Sequence, residues 1–291
     1  MRSCLRCGAT FGGTEDWRCP QCGFDPPRIE GFVAFAPELA RANSGFDAAQ
    51  FKEYARLESS NFWFRARNRL IQWSMKRFFP GARNYFEVGC GTGFVLSGVA
   101  RAFPALAVTG SEVAMAGLAF AARRAPRAAL IQMDARRIPF RGEFDVVGAF
   151  DVIEHIEDDR AVLSELYGSA VPGGGLLLTV PQHPSLWSEY DARARHVRRY
   201  RAADLRAKTA AAGFEIVKLT SFVTLLLPLM YASRLKQRAP GKDYDPLADL
   251  RISGWLNWPM EKVLDLERLL IRAGASLPVG GSLLLAARRP Q

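Results

Sequence analysis

The chain has 291 residues, of which 49% are hydrophobic and 23% are charged, a globular composition that excludes a largely disordered protein. This length predicts one large domain accompanied by a small one. Lysine and arginine outnumber aspartate and glutamate by 39 − 29, and the resulting net charge of +10 favours an anionic partner such as nucleic acid, an acidic membrane surface or a phosphorylated substrate.

The sequence predicts neither a secretion signal nor a membrane-spanning helix. Its first residues lack an apolar core, and no apolar run reaches the roughly 18 residues of a transmembrane helix. Four of the five cysteines lie in two close pairs, a metal-binding pattern typical of a reducing compartment. We therefore expect a cytoplasmic protein with no transmembrane segment.

The N-terminal cysteines form two CxxC pairs, Cys4 with Cys7 and Cys19 with Cys22, separated by eleven residues. Each pair points two thiolates at one centre, and four thiolates suit tetrahedral zinc. Because about 25 residues cannot bury a self-sufficient core, the metal would supply the folding energy. The pattern resembles a zinc ribbon, and we predict a structural Zn²⁺ site in a domain spanning residues 1–27.

Residues 28–80 are predicted to form a helical linker or lid. The segment 53–79 places apolar residues at helical spacing among arginines, which predicts one or two amphipathic helices. Its aromatic cluster, residues 62–64, either packs on the main domain or covers a binding site.

From residue 84 onward, short apolar runs alternate with helical segments. This alternation predicts an α/β fold: a doubly wound, mostly parallel seven-stranded sheet in a domain spanning residues 81–291. Ligands of such sheets bind at the carboxyl ends of the strands. The predicted strands are 85–89, 107–112, 129–134, 144–150, 176–180, 214–220 and 282–287.

A glycine-rich turn follows the first of these strands, with Glu-Val-Gly-Cys-Gly-Thr-Gly at 87–93. Glycine lets the backbone turn sharply and approach a ligand, and the next helix presents its N-terminus to that ligand. Phe94 stands where a dinucleotide fingerprint has glycine, which weakens an NAD interpretation. Glu112 and Asp134 end the next two strands, where the first can hold ribose hydroxyls and the second can accept from an adenine amino group.

Together these segments resemble class I S-adenosylmethionine-dependent methyltransferases, which have a Rossmann-like fold. The resemblance covers about 84–220 and the last strand, and it implies S-adenosyl-L-methionine as the cofactor and methyl transfer as the reaction. The matching segments are 86–93, 108–112, 132–135, 138–140, 144–156 and 171–180. The implied cofactor-binding residues are Glu87, Gly89, Cys90, Gly91, Gly93, Glu112, Asp134, Ala135 and Phe150.

Asp151, Glu154 and His155 follow the fourth strand and are the candidate catalytic residues. A general base is needed only if the acceptor loses a proton, and His155 has an equally plausible structural role in the loop. The three residues also resemble the acid-x-x-Glu-His segment of ubiquinone-pathway O-methyltransferases. That resemblance implies a divalent cation at this second site, although this chain has Asp where that family has Glu.

A second segment, residues 196–200, resembles the His-x-Arg-Arg-Tyr element of many small-molecule methyltransferases. The resemblance implies that His196, Arg198, Arg199 and Tyr200 recognise the acceptor, with a guanidinium gripping a carboxylate or phosphate. The alternative is a solvated loop whose tyrosine packs on the domain.

Residues 221–278 form a predicted helical insertion before the last strand. An apolar stretch, 221–233, precedes four cations, and a second apolar stripe at helical spacing follows from 255. The insertion fits a cap on the core, a greasy acceptor pocket or peripheral membrane contact through 221–238.

The first functional hypothesis is a methyltransferase acting on a small molecule, including a glycan or lipid-linked intermediate. The second is a ribosomal-RNA base methyltransferase guided by the zinc ribbon and the basic surface. The third is a non-catalytic cofactor-binding protein whose ribbon docks a partner. The segment after the fourth strand lacks the Asn/Asp-Pro-Pro-aromatic element of amino-directed base methylation, which counts against the second hypothesis.

Overall fold

The computed structural model describes residues 1–12, 16–40, 48–236 and 251–291. The described strands are β1 (Arg2–Ser3), β2 (Thr10–Phe11), β3 (Arg28–Ile29), β4 (Phe32–Ala34), β5 (Asn84–Val88), β6 (Ala107–Glu112), β7 (Ala129–Gln132), β8 (Phe144–Phe150), β9 (Ala170–Pro181), β10 (Glu215–Phe222) and β11 (Ser282–Arg288). The described helices are α1 (Pro37–Ala40), α2 (Ala48–Leu57), α3 (Phe62–Phe78), α4 (Phe94–Ala102), α5 (Met115–Arg124), α6 (Asp159–Ser169), α7 (Glu189–Arg193), α8 (Ala202–Ala211), α9 (Leu227–Lys236) and α10 (Gly254–Arg272).

A single large sheet organises the described residues, with the strand order β10-β11-β9-β8-β5-β6-β7-β4-β3. Strands β7, β6, β5, β8 and β9 run parallel, and β11 is antiparallel to both of its neighbours. From β5 the chain adds β6 and β7 on one side and then crosses back to add β8 on the other side. The crevice at the carboxyl ends of β5 and β8 is therefore the place where such sheets bind ligands. The predicted doubly wound α/β fold is confirmed.

The predicted count of seven strands is wrong, because the sheet has nine within the described residues. Strands β3 and β4 come from the segment predicted as a helical linker, and β4 pairs in parallel with β7. The buried side chain of Gln132 secures this edge: its amide donates to the carbonyl oxygen of Ala36 at 2.8 Å and accepts from the Ala36 amide at 3.1 Å. The linker therefore begins as sheet and becomes helical only from α1.

Two apolar layers enclose the sheet. One face buries Phe86 and Phe144 under α6 and α8, which contribute Leu163, Leu166 and Leu205 to the same apolar cluster. On the other face, α3, α4 and α5 pack over the sheet in a second cluster that contains Ile71 and Leu96. Helix α3, from the predicted linker, thus packs on the same face of the sheet as α4 and α5.

The insertion contains α9 and α10, and residues 237–250 of it lie outside the described residues. Helix α10 packs along α3, where Glu261 forms ion pairs with Arg65 and Arg69. The buried carboxylate of Glu267 accepts hydrogen bonds from the backbone amides of residues 223–225 and so ties α10 to the end of β10. None of the helices in the described ranges combines the length and apolar character needed to cross a bilayer.

The N-terminal hairpin β1–β2 docks on the main domain beside the loop after β7. The Ser3 amide donates to the Pro139 carbonyl oxygen at 3.0 Å, and the Arg141 amide donates to the Met1 carbonyl oxygen at 2.8 Å. The Trp17 ring lies edge-on against Phe140, with ring centroids 5.5 Å apart. The cysteine-rich segment is therefore packed against the loop that carries Asp134 and Ala135.

Candidate active site

A cavity of about 960 Å³ opens at the carboxyl ends of β5, β6 and β8. Its floor is the glycine-rich turn, one wall comes from β6, β7 and the loops after them, and the opposite wall comes from the loop after β8. Helices α2, α3, α9 and α10 cover it. Every predicted cofactor residue except Gly93 lines this cavity, as do the three predicted catalytic residues.

The glycine-rich turn needs glycine for two physical reasons. Gly89, Gly91 and Gly93 all have positive φ, at 66°, 53° and 77°. A Cβ on Gly89 would lie 2.6 Å from a methyl carbon of Val152, and one on Gly93 would lie 2.7 Å from the Ala121 Cα. A Cβ on Gly91 would meet nothing within 4 Å, since this residue faces the open cavity.

Glu112 is held at the end of β6 by the backbone around it. One carboxylate oxygen accepts from the Gly91 amide at 2.9 Å, and the other accepts from the amides of Val113 and Ala114 at 2.8 and 3.1 Å. Burial raises the pKa of Glu112 above its usual range, against the effect of these three donors. The arrangement joins the glycine-rich turn to the adjacent strand.

Asp134 and Ala135 line the cavity after β7. Arg136 forks both carboxylate oxygens of Asp134, at 2.7 to 3.0 Å. Burial alone would raise the pKa of Asp134, but hydrogen bonds from Arg136 outweigh it and lower the pKa. The carboxylate is therefore in the predicted place and already paired with an arginine that sequence reasoning had not singled out.

An arginine from α3 reaches the end of β8. The buried Arg67 guanidinium pairs with Asp151 and lies 4.5 Å from the Trp63 ring centroid. Burial lowers the pKa of Arg67 to about 10, and the same cause raises the pKa of nearby Glu87 to about 8. The Glu87 carboxylate accepts from the Tyr85 hydroxyl at 2.8 Å. Asp151 is thus engaged in an ion pair.

The residue that follows the other linker helix, α2, contacts the turn directly. The Thr92 hydroxyl donates to the Glu58 carboxylate at 2.5 Å, and Arg124 pairs with the same carboxylate. Glu58 and Tyr54 also line the cavity. The sequence left open whether the aromatic residues 62–64 pack on the main domain or cover a binding site. They pack on the domain and also line the cavity.

Glu154, His155 and His196 come together on the wall opposite the turn. One ligand atom of each lies within 4.8 Å of the other two. Glu154 is completely buried, and burial raises its pKa to about 8. Burial and the neighbouring His196 lower the pKa of His155 to about 4. The His196 ring is held by Asp191, whose carboxylate lies 2.8 Å from Nδ1.

The four predicted acceptor-binding residues divide into two pairs. His196 and Arg199 line the cavity, whereas Arg198 and Tyr200 do not. Tyr200 is buried and donates to Asp159 at 2.6 Å, and Arg198 donates to the backbone oxygens of Ile156 and Glu157. Tyr200 forms an isolated β-bridge with Gln182, so the backbone there is extended. The side chains of Arg199 and Tyr200 therefore face opposite sides.

Replacing Asp159 by asparagine should cost about 2 kcal/mol of unfolding free energy at pH 7, the size of a charged buried hydrogen-bond network. Burial alone would raise the pKa of Asp159, but hydrogen bonds from Lys208 and Tyr200 outweigh it and lower the pKa. The ionised carboxylate therefore stabilises the fold above its ordinary pKa of 3.8, and this contribution is lost as pH falls below that value. Urea unfolding at several pH values measures the difference from wild type.

The Asp159→Asn difference should shrink as the pH is lowered through and below 4. The matched control is Asp204→Asn, an exposed aspartate in the first turn of α8, which should change stability by less than about 0.5 kcal/mol. A difference that stays constant down to the lowest pH would contradict the assignment.

The four N-terminal cysteines meet as predicted. Sγ atoms of Cys4 and Cys22 lie 3.6 Å apart, and those of Cys7 and Cys19 lie 3.7 Å apart. A tetrahedral zinc with bonds of about 2.3 Å spaces its sulfur ligands by about 3.8 Å. The four thiols therefore fit a zinc ion in spacing and in chemistry.

Comparisons with known proteins address the domain around the glycine-rich turn. Residues 86–178 match a family model described as "Methyltransferase domain". A protein of Mycolicibacterium smegmatis named "Probable S-adenosylmethionine-dependent methyltransferase" is 30% identical over 166 residues, 55% of this chain and 62% of that protein. A ubiquinone biosynthesis O-methyltransferase of Pseudomonas paraeruginosa is 27% identical over 125 residues, 40% of this chain and 53% of that enzyme. The alignments thus span less than two thirds of these relatives.

Solved structures share the fold. Phosphoethanolamine N-methyltransferase 2 of Haemonchus contortus, in complex with S-adenosyl-L-methionine, superposes with a TM-score of 0.58 at 21% identity, over 91% of this chain and 62% of that one. The [4+2]-cyclase SpnF superposes with a TM-score of 0.53 at 24% identity, over 78% of this chain and 83% of that one. These likenesses show the fold alone. The family match and the sequence similarities support the predicted S-adenosylmethionine-dependent methyltransferase domain around residues 86–178.

Proposed function

We propose that this chain transfers a methyl group from S-adenosyl-L-methionine to a small-molecule acceptor. One observation carries the proposal: a single cavity runs from the glycine-rich turn and Glu112 to a pocket enclosed by the aromatic helix α3 and the insertion. Donor and acceptor need such a common chamber, because methyl transfer is a displacement that depends on alignment and exclusion of water. The family match at residues 86–178 supports the donor half.

The donor would lie along the glycine-rich turn, where its sulfonium supplies the methyl group. Gly89, Cys90 and Gly91 would leave room for its methionine part, with Glu87 near the amino group, while Gly93 would keep the turn close to Ala121. Glu112 would accept from the ribose hydroxyls with the lone pairs that its three backbone donors leave. Asp134 and Ala135 would meet the adenine, and Phe150 would close the methyl end. The open space above Gly91 supports this placement.

The acceptor would lie between the loop after β8 and the covering helices. Glu154, His155, His196 and Arg199 supply the polar groups of that region. Apolar residues from α3, α10 and α9 with the residue before it supply the rest, including Phe62, Phe64, Leu226, Met230 and Met260. This lining favours an acceptor with an apolar body and an anionic or hydroxyl-bearing end.

The candidate proton acceptors differ in availability. The ion pair with Arg67 makes Asp151 a positioning group for α3. Glu154 carries the higher pKa, at about 8, whereas the pKa of about 4 makes His155 a weak base. A pKa of about 8 leaves most of Glu154 protonated at pH 7, so it would take a proton from the acceptor only in its ionised form.

Incubation with methyl-labelled donor and fractionated cell extract tests the proposed function. Label should enter soluble metabolites or lipids, and the Glu112→Ala variant should abolish labelling. Labelled RNA would instead establish the RNA alternative, whose phosphate contacts weaken steeply with salt. Tight donor binding without labelling of any fraction would support the non-catalytic alternative and contradict methyl transfer.

We further propose that the four N-terminal cysteines hold a structural zinc ion. Cys4 and Cys19 are buried, all four thiols are close enough to share one ion, and none is joined in a disulfide. The closed set of four sulfur ligands leaves no position for a substrate. The metal would therefore stabilise the docked hairpin and take no part in methyl transfer.

An exposed apolar face favours a lipid or lipid-linked acceptor as the second candidate. Trp255 and Trp258 at the start of α10 are 76% and 66% exposed, and Leu229 on α9 is 54% exposed while also lining the cavity. Apolar residues with tryptophans suit a membrane interface. The predicted contact segment extends to residue 238, and 237–238 lie outside the described residues.

The double substitution Trp255→Ser and Trp258→Ser should weaken binding to anionic vesicles about thirtyfold, since each indole loses about 1 kcal/mol of apolar contact with the interface. Co-sedimentation at low salt measures it. Val217→Ser, at an exposed apolar site on β10, is the control and should leave binding unchanged. Absence of wild-type binding would remove the membrane contact and leave the soluble acceptor.

A further inference from the structure

The hydrogen-bonding capacity of Asp134 is already used by one neighbour. One of its carboxylate oxygens accepts from the Arg136 amide at 2.9 Å and from the Nε of the same arginine at 3.0 Å. The other oxygen accepts from Nε at 3.0 Å and from Nη2 at 2.7 Å. Because each carboxylate oxygen offers about two lone-pair directions, a single arginine fills the whole group. An adenine amino group could bind Asp134 only by replacing part of this contact.

The side chain of Arg136 is held weakly enough to be displaced. In the described part of the chain, its guanidinium donates hydrogen bonds only to Asp134. The arginine side chain is 49% exposed and lines the cavity. Ion pairs between partly exposed groups contribute about 0 to 1 kcal/mol, because water competes for both partners. A ligand that fits the cavity can therefore take the place of the guanidinium at small cost.

Other carboxylates lie near this guanidinium. Hydrogen bonding to Asp134 raises the pKa of Arg136, and the charge of Asp158 adds to the increase. Glu157 lines the same cavity and its side chain is 84% exposed. An arginine that leaves Asp134 therefore stays beside acidic groups that can receive it.

The backbone of this loop is fixed independently of the ion pair. The Arg137 amide donates to the Asp134 carbonyl oxygen at 3.0 Å, and the Ile138 amide donates to the Glu165 carboxylate at 2.7 Å. Neither bond involves the side chain of Arg136. The guanidinium can therefore move, or be removed by substitution, while Asp134 keeps its place at the cavity wall.

We propose that Arg136 competes with the adenine of the donor for Asp134 and thereby sets the affinity for the donor. The adenine amino group binds in the molecules whose Asp134 has been released by the arginine. This inference rests on the proposed function, because it takes the donor as the ligand that replaces the guanidinium. An internal competitor lowers the apparent affinity by the fraction of molecules that are open. Opening an exposed ion pair corresponds to a factor of about three to five.

Calorimetric titration of the full chain with S-adenosylhomocysteine, which is the donor without its methyl group, tests the competition. Arg136→Gln should bind this ligand about three to five times more tightly than the wild type at low salt. The gain should shrink as salt is added, because salt screens an exposed ion pair. S-Inosylhomocysteine has a carbonyl oxygen in place of the adenine amino group. It should show no gain in Arg136→Gln, since it offers Asp134 no amino hydrogen.

Two further variants separate the fork from the charge. Arg160→Gln removes the same charge from an exposed arginine of α6 outside the cavity lining, and it should keep the wild-type affinity. Arg136→Lys keeps the charge but cannot fork both oxygens, so it should show part of the gain. Thermal unfolding checks that each variant is folded.

Three results would overturn the competition: affinity unchanged or lowered in Arg136→Gln, an equal gain in Arg160→Gln, or an equal gain for the inosyl ligand. Glu112→Ala tests the placement of the donor separately. If Glu112→Ala loses affinity while Arg136→Gln gains none, only the competition fails. If Glu112→Ala binds as tightly as the wild type, or the wild type binds neither ligand, the placement of the donor in the proposed function fails and the competition fails with it.

Discussion

Gly91→Leu should lower the affinity for S-adenosyl-L-methionine by at least about a hundredfold, or about 2.7 kcal/mol. The space above Gly91 is open to the cavity, so a side chain there would occupy the volume in which we place the donor. The same openness means that no protein atom must move, and the substitution should leave the fold intact. Calorimetric titration with donor measures the loss.

Gly142→Leu is a closely matched control for this substitution. Gly142 has a φ of 52°, against 53° for Gly91, and a Cβ on it would likewise meet nothing within 4 Å. It does not line the cavity. Backbone strain should therefore lower the free energy of unfolding of both variants by about 1 to 2 kcal/mol, and only Gly91→Leu should lose donor binding. Equal donor affinity in the two variants would place the donor elsewhere.

The strands that position this turn could be predicted because each carries its own signal. Residues 85–89 and 144–150 are largely apolar runs of strand length, each with one acidic residue inside it, and glycine or acidic residues mark where they end. Strands β3 and β4 have only two and three residues, too few to show a period. They exist because β7 offers an edge and Gln132 binds the passing backbone, and neither contact is visible in the sequence around residue 30.

The sequence predicted individual residues of the glycine-rich turn, but few of the residues in the helices and loops that cover the cavity. Glu112 and Asp134 could be predicted because they lie at the ends of strands, where sheets of this kind bind their ligands. Arg67 reaches Asp151 across 84 residues of sequence, and an arginine in an amphipathic helix carries no mark that distinguishes it from a solvated one. Asp191, which orients His196, was likewise recognisable only once the loop was folded.

Loss of the N-terminal metal should affect the donor site as well as the ribbon. The Arg137 guanidinium donates to the Leu5 carbonyl oxygen at 2.6 Å, and the Ser3 amide bonds to Pro139, so the hairpin holds the loop that begins with Asp134. Apparent zinc-binding energies of about 10 to 16 kcal/mol in small domains equal their folding energies. Without the ion, the first 27 residues should unfold and release this loop.

Cys19→Ser should therefore lose zinc, lower the unfolding free energy by about 3 to 5 kcal/mol through loss of the packed Trp17, and weaken donor binding about tenfold. Metal content, Trp17-dependent fluorescence and calorimetry measure the three effects.

Cys90 is the cysteine outside the cluster, so Cys90→Ala should retain one zinc per chain and serves as the control for metal content. Arg137→Met should keep the zinc and yet lose part of the donor affinity, because it removes one of the hydrogen bonds between the hairpin and the loop while the ribbon stays folded. If Cys19→Ser unfolds the ribbon and leaves donor affinity unchanged, the two sites are independent despite their contact.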